Sequence, residues 1–467
     1  MTDLLSLDGA AVAALFAKRA VSPVELLAAT LARLDRDNPR VNALNIVDRD
    51  GALAAARASE QRWAKGAPLS PCDGLIATIK DNIMLAGFPN RRGSPTTDPA
   101  PVGEDAPAPA RLKEAGCVIL GKTTLPEYGW KGLCDSPLTG ITRNPWKLSQ
   151  TTGGSSGGAA AVAALGVGHF HLGTDGAGSI RIPSAFTGLV GLKPSFGRVP
   201  AAPASPFGVV AHLGPMARRV ADAAAMLTIL SRPDARDNLA WNTAPPDYRI
   251  GLDDGVAGLR IAFSPRLGFS GPIDPDVAAA TAAAAEVFAG LGAHVEEASP
   301  DLGDPFWILD TLWKAGAAAA TAAVPDSAHA QMDPGLVREF MAGRKLSATD
   351  YLKAFSARAG LAFTMAEFHR RYDLMLTPQM PTGAIEAGRD TPADGAYGQD
   401  WIGWSPFTWP FNLTQQPAAS VPSGLTREGL PIGLQIVGPM RADALVLRAA
   451  RAFESARPLP RLDAPRP

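Results

Sequence analysis

Two glycine-rich segments, each carrying serine, concentrate the residues that could do covalent chemistry. In the first, Gly153-Gly154-Ser155-Ser156-Gly157-Gly158, four glycines surround two hydroxyls ahead of an alanine-rich helix. Glycine removes bulk and opens backbone angles, so a ligand or another stretch of backbone can come close. A helix N-terminus adds unpaired amides that can face developing negative charge. An active-site loop and a flexible turn both fit this segment taken alone. No Gly-Lys-Ser/Thr follows, which excludes a Walker A loop. The glycine spacing, with no clear strand in front, excludes a dinucleotide fingerprint.

The second segment, Thr174-Asp175-Gly176-Ala177-Gly178-Ser179-Ile180-Arg181-Ile182-Pro183, places Ser179 twenty-four residues after Ser155. It joins an expected strand, His169 to Gly173, to an expected helix starting near Pro183, which suits a nucleophile held at a sheet edge among backbone amides. A capped strand-to-helix turn with Asp175 and Arg181 as a local ion pair fits equally well. A serine nucleophile needs a proton acceptor. The histidines, His169, His171, His212, His294, His329 and His369, form no HExxH and no suggestive pairing with Asp. His169 and His171 alternate along a strand and read as satisfied core or lining residues. Lysine is the remaining base. Lys80 follows the apolar run Leu75-Ile76-Ala77-Thr78-Ile79, where burial disfavours the ammonium form; a lysine after a strand is otherwise a surface residue.

These residues need a scaffold, and the rest of the chain reads as one. Of 467 residues 46% are apolar and 19% charged, enough for a large core and unlike a disordered chain. Net charge is -1 with Lys and Arg scattered, so no basic stripe exists for nucleic acid or an anionic membrane. The three cysteines, Cys72, Cys117 and Cys134, are odd in number and far apart, which supports neither a disulfide framework nor a zinc knuckle. Met1 to Pro23 lacks the pattern of a secretory signal and no stretch reaches a membrane span, so a cytoplasmic protein is expected.

Ser22-Pro23-Val24-Glu25 is a helix start with cap, first-position proline and capping-box glutamate; that helix should end before Pro39. A second helix is expected over Gly51 to Lys65 and a third over Ala106 to Ala115, ahead of the strand Cys117 to Leu120. Further helices are expected at Gly157–Leu165, Pro183–Val190, Val277–Leu291, Tyr351–His369 and Ala442–Ser455. Strands are expected at Leu259–Phe263, His294–Glu296, Leu374–Thr377 and Gly433–Val437. Pro200 to Pro206 and Thr377 to Tyr397 read as surface loops, the second long enough to be functional or mobile. The alternation predicts an α/β fold with a mixed, mostly buried central sheet covered by helices on both faces. No repeat or linker divides the chain, so one domain is expected.

Lys80-Asp81-Asn82, Gly153 to Gly158, and Thr174 to Pro183 at the observed interval together resemble the amidase signature family. So do Gly121 to Glu127, Arg143-Asn144-Pro145-Trp146, Gly188 to Pro194 and Gly429 to Pro439. The resemblance implies a single amidase domain over 1–467: an N-terminal helical segment (1–66), a signature core (70–220), a variable substrate-pocket region (221–410) and a C-terminal return to the core (411–460). It implies further that Ser179 attacks an amide carbonyl, that Ser155, held by a cis peptide bond, shuttles the proton, and that neutral Lys80 is the base. The amides of Gly176, Ala177, Gly178 and Ser179 are expected to form the oxyanion hole. Many members have Thr-Gly-Gly before the nucleophile, whereas this chain has Gly-Ala-Gly, which backbone donors tolerate if the angles of Ala177 are ordinary.

The Gly129 carbonyl is expected to orient substrate, with Tyr128, Trp130 and Ser156 as further binding residues; Trp307, Trp313, Trp401, Trp404 and Trp409 are aromatic candidates for the pocket, though each also reads as core. No metal or organic cofactor is implied, and the expected partner is a small-molecule amide, the protein being a monomer or homodimer. Apolar or aryl amides are favoured, with carbamates and esters as side activities. The rival is the glutaminase component of a tRNA-dependent amidotransferase. Such glutaminases commonly carry glutamine after Ser-Ile-Arg, where this chain has Ile182.

Overall fold

The computed structural model describes residues 3–393, 395–398, 400–458 and 462. Residues 1–2 of the N-terminal segment, residue 394 of the 377–397 loop and residues 459–460 of the C-terminal return lie outside the described residues. Local signals hold where they are strongest. Ser22 Oγ accepts from the Glu25 amide at 3.2 Å while Glu25 accepts from the Ser22 amide at 2.7 Å, closing the capping box of the Pro23–Val41 helix. That helix does not stop before Pro39. The proline removes only a bond to the carbonyl of Asp35, an exposed residue, and Asn42 closes the helix in the left-handed conformation.

Eleven strands form the central sheet: β1 (Leu44–Val47), β2 (Ile76–Lys80), β3 (Val118–Thr123), β4 (Phe170–Asp175), β5 (Val190–Lys193), β6 (His212–Ala217), β7 (Arg260–Phe263), β8 (His294–Glu297), β9 (Leu374–Pro378), β10 (Ala418–Leu425) and β11 (Pro431–Val437). Their order is β1-β3-β2-β4-β6-β5-β10-β11-β9-β7-β8. Parallel pairs at β2–β3, β2–β4, β7–β8 and β7–β9 are joined by antiparallel pairs through the centre. The sheet is mixed, as expected, and one domain spans it.

Alternation along the central strands splits the two faces. Ser420 and Gly433 face the Arg181–Thr187 helix, where a Cβ on Gly433 would lie 2.6 Å from Ala185 Cβ. Ala419, Val421, Leu434 and Ile436 belong to the larger core with Phe288, Val446, Leu447 and Phe453, from the Pro275–Gly290 and Asp443–Ala456 helices.

Differences from expectation cluster at the centre. The helix expected over Pro183–Val190 covers Arg181–Thr187; Gly188 at φ 71° ends it, and Val190 begins β5. A short strand, Lys147–Thr151, does precede the first serine loop, though it belongs to a separate two-stranded ribbon. All three cysteines are free and buried. Among the described residues no helix is long and apolar enough to cross a membrane.

Candidate active site

β2 delivers Lys80 into the interior with no exposed surface. Its ammonium donates to three hydroxyls, Ser155 Oγ at 2.7 Å, Thr174 Oγ1 at 2.8 Å and Ser156 Oγ at 2.9 Å. Burial drives its pKa down to about 7, with Cys134 and Asp175 offsetting only part of the effect. A lysine so placed can hold or release a proton at neutral pH while touching a serine.

Ser155 owes its position to crowding rather than flexibility. A Cβ on Gly154 would lie 1.9 Å from the Leu133 carbonyl oxygen, so only glycine admits the loop there. The Gly154–Ser155 peptide is cis. The flexible-turn reading of this loop therefore fails: its residues are buried throughout. The structure also separates the two serines. Ser155 lines the neighbouring cavity, whereas Ser156 lies behind it, donating to the Thr174 carbonyl at 3.2 Å. Ser156, expected among the binding residues, does not line the cavity and forms part of the support under Lys80.

The ion pair expected in the second segment is present. Asp175 and Arg181 form a fully buried ion pair, Nε to Oδ2 at 2.9 Å. Asp175 Oδ1 also accepts from the Gly178 amide at 2.7 Å and from Asn412 Nδ2 at 2.9 Å, and Oδ2 accepts from the Ile180 amide at 3.2 Å. Burial alone would raise this carboxyl; the Arg181 guanidinium, helped by Asn412, overrides it and holds Asp175 well below the usual carboxylate range. Arg181 in turn donates to Gln435 Oε1 at 2.7 Å and the Thr408 carbonyl at 2.8 Å, tying the turn to β11.

The four amides expected to form the oxyanion hole differ in their partners. The Gly178 amide is engaged by Asp175, while those of Gly176, Ala177 and Ser179 have no internal partner among the described residues. Ala177 stays outside the positive-φ region, so its side chain imposes no backbone difficulty. Gly176 and Ser179 line the cavity with Ser155 and Gly129, and Ser179 Oγ donates to nothing among the described residues.

That cavity spans about 950 Å³, counting the open solvent at its mouth. Tyr128, Phe207 and Trp313 supply its aromatic wall and Ala201–Phe207 forms one side, so the proline-rich loop expected only at the surface borders the site. Trp130 does not reach it. Buried nearby, its carbonyl accepts from Trp313 Nε1 at 3.1 Å. Trp401 packs behind Trp313 at 5.4 Å, Trp404 stacks on Phe186, Trp409 sits between Phe269 and Phe306, and Trp307 is exposed.

Histidine offers no competing base. Burial pushes His169 and His171 down to about 3; His171 Nδ1 pairs with Thr78 Oγ1 at 2.9 Å, and His169 has no partner among the described residues, so it is core but not satisfied. His212 lines the cavity, yet burial depresses it too and its Nδ1 faces the Val210 carbonyl at 2.8 Å. Sequence reasoning missed Thr174, His212, Asn412 and the Arg92 of the cavity wall. Thr174 stood in plain view beside Asp175, whereas nothing local marks Asn412, which arrives from 237 residues away. No group of three metal-ligating side chains occurs among the described residues.

Known proteins share this architecture. The Amidase family profile matches residues 25–447. An acylamidase of Rhodococcus erythropolis is 38% identical over 97% of this chain and 96% of its own. A glutamyl-tRNA(Gln) amidotransferase component of Myxococcus xanthus (strain DK1622) is 36% identical over 97% of each. Among solved structures, a bacterial aryl acylamidase of the amidase signature family superposes with TM-score 0.90 at 29% identity, covering 97% of this chain and 96% of that one. A 6-aminohexanoate cyclic dimer hydrolase complexed with substrate gives 0.88 at 28% identity, over 98% of each. With the family profile spanning most of the chain and full-length relatives on both measures, this protein belongs to the amidase signature family and is a hydrolase acting on amides.

Proposed function

We propose that the protein cleaves small-molecule aryl or apolar amides through Ser179, Ser155 and Lys80 by way of an acyl-enzyme. The observation that carries the reading is the buried Lys80 amine 2.7 Å from Ser155 Oγ, with Ser155 and Ser179 lining one cavity. Neutral Lys80 takes the Ser155 proton as Ser155 takes that of Ser179. Ser179 Oγ bonds to the carbonyl carbon, and the oxyanion is held by the amides of Gly176, Ala177 and Ser179, single donors of this kind being worth ~3 kcal/mol. The relay then returns the proton to nitrogen, the C–N bond breaks, and water releases the acyl group by the same path. The Gly129 carbonyl orients the substrate and Tyr128 packs against it. Neither metal nor organic cofactor enters the scheme. Carbamates and esters are side substrates, and the chain works as a free-standing monomer or homodimer in the cytoplasm.

The glutaminase of a tRNA-dependent amidotransferase is the competing reading, on the strength of relatives such as the Myxococcus protein. Against it, the one acidic residue lining the cavity among the described residues is Asp175, already engaged by Arg181 and Asn412, which leaves no free lining carboxylate among the described residues for the ammonium of glutamine. Turnover by the purified chain on acetanilide, aliphatic amides, a carbamate and glutamine, with Ser179→Ala as blank, tests the proposal. Anilide cleavage abolished in the blank is expected. Activity on glutamine alone, or full turnover by Ser179→Ala, would overturn it.

A further inference from the structure

The cavity lining includes Asn82, Asn90 and Arg92, each of which keeps a polar group that the protein leaves unengaged. Asn82 Nδ2 donates to Thr174 Oγ1 at 3.2 Å, but its Oδ1 is buried without a partner. Asn90 Oδ1 is likewise buried and unpartnered, and with no bond fixing the amide either end can turn inward. Arg92 is half-buried, and its guanidinium makes no ion pair or hydrogen bond among the described residues. Its neighbour behaves differently: Arg91 is tied to Thr97 Oγ1 at 3.1 Å and the Ser94 carbonyl at 3.3 Å.

Backbone geometry singles out the same residue. Arg92 has φ 51° and Tyr128 φ 52°, both in the left-handed region that non-glycine residues seldom adopt. The two are joined by a bond from the Tyr128 amide to the Arg92 carbonyl at 2.7 Å. Such conformations gather at ligand sites, where the surrounding structure sustains them. Here they fix a cation on the wall of a cavity whose sole acidic member among the described residues is already neutralised.

We propose that Arg92, with Asn90 beside it, is a subsite for a carboxylate on the substrate. The preferred class is then an amide with an apolar group against the paired rings of Phe207 and Trp313, and a carboxylate but no ammonium elsewhere on the molecule. This inference rests on the amide-hydrolase reading and extends it. Arginine matches a carboxylate with two parallel donors, and a charged hydrogen bond in a partly dehydrated wall is worth about ten- to a hundredfold in affinity.

The test compares kcat/KM in two pairs: acetanilide against 4-acetamidobenzoate, and butyranilide against succinanilate, which place the charge on the amine or the acyl half. One carboxylate-bearing member is expected to exceed its neutral counterpart about tenfold or more, with a ratio that falls as NaCl is raised. Arg92→Gln should bring that ratio near one, and Arg92→Lys should restore part of it. The ratio is the readout, so a general loss of activity in a variant does not enter. Wild-type ratios near one in both pairs, or a preference that survives in Arg92→Gln, would overturn the subsite. If no anilide is cleaved, the amide-hydrolase reading is what fails. Calorimetric binding of the same pairs to Ser179→Ala then decides the Arg92 question without turnover: equal affinities within both pairs refute it, and tighter carboxylate binding supports it.

Discussion

With its pKa drawn down to about 7, Lys80 is mostly protonated one unit below neutrality and mostly free one unit above. A base works in its deprotonated form, so kcat/KM on an uncharged amide should climb with pH, bend near 7 and level off above it. A flat profile from mildly acidic to mildly alkaline buffer would take Lys80 out of the relay. The residue itself was legible because no histidine offered an alternative and a strand led into it. Ser155 was less so: Ser156 is almost as close to Lys80, at 2.9 Å against 2.7 Å, and the cavity's position tells them apart. Arg92 carried no signal, since whether a cation is paired depends on side chains that folding brings near it.

The elements most readable from the chain were those whose stabilisation is local. The capping box at Ser22 is one, and Ser22→Ala should lower stability by about 1 kcal/mol in urea denaturation while leaving kcat unchanged, because the helix start lies outside the cavity lining. An unchanged midpoint would mean that neighbouring packing alone fixes this end. Strands β5, β6 and β10 escaped notice for the opposite reason. Each lies in mid-sheet, with Gly191 in β5, Gly214 and Pro215 in β6, and Pro422 in β10 breaking the pattern that marks a strand. They are strands because their neighbours make them so. The glycine of β5 admits Ser184, whose Oγ would lie 2.1 Å from a Cβ at Gly191, so the composition that hid the strand is what lets the Arg181–Thr187 helix sit on it.

At the scale of the molecule, the signature segments and the late strands share one sheet. β5 pairs with β6 on one side and β10 on the other, joining residues more than two hundred positions apart. Asn412 and Gln435 close the Asp175–Arg181 network from the same late region. Residues 1–220 expressed alone should therefore fail to fold, giving no near-ultraviolet dichroism and no cooperative melt; a cooperative melt would show the early half to be independent. The α/β class and the family could be read from motifs, whereas this dependence on distant sequence is a property of strand order, which periodicity does not encode.

The three cysteines, all buried, bring a practical benefit. Burial pushes the Cys72 thiol up to about 12 and raises Cys117 and Cys134 as well, so none offers the thiolate that alkylating reagents need. The wild-type protein is in effect already a cysteine-free background. A single cysteine added on the Pro200–Pro206 loop would accept a fluorophore or spin label selectively, turning the rim of the cavity into an optical or magnetic reporter of substrate arrival without any prior removal of native thiols.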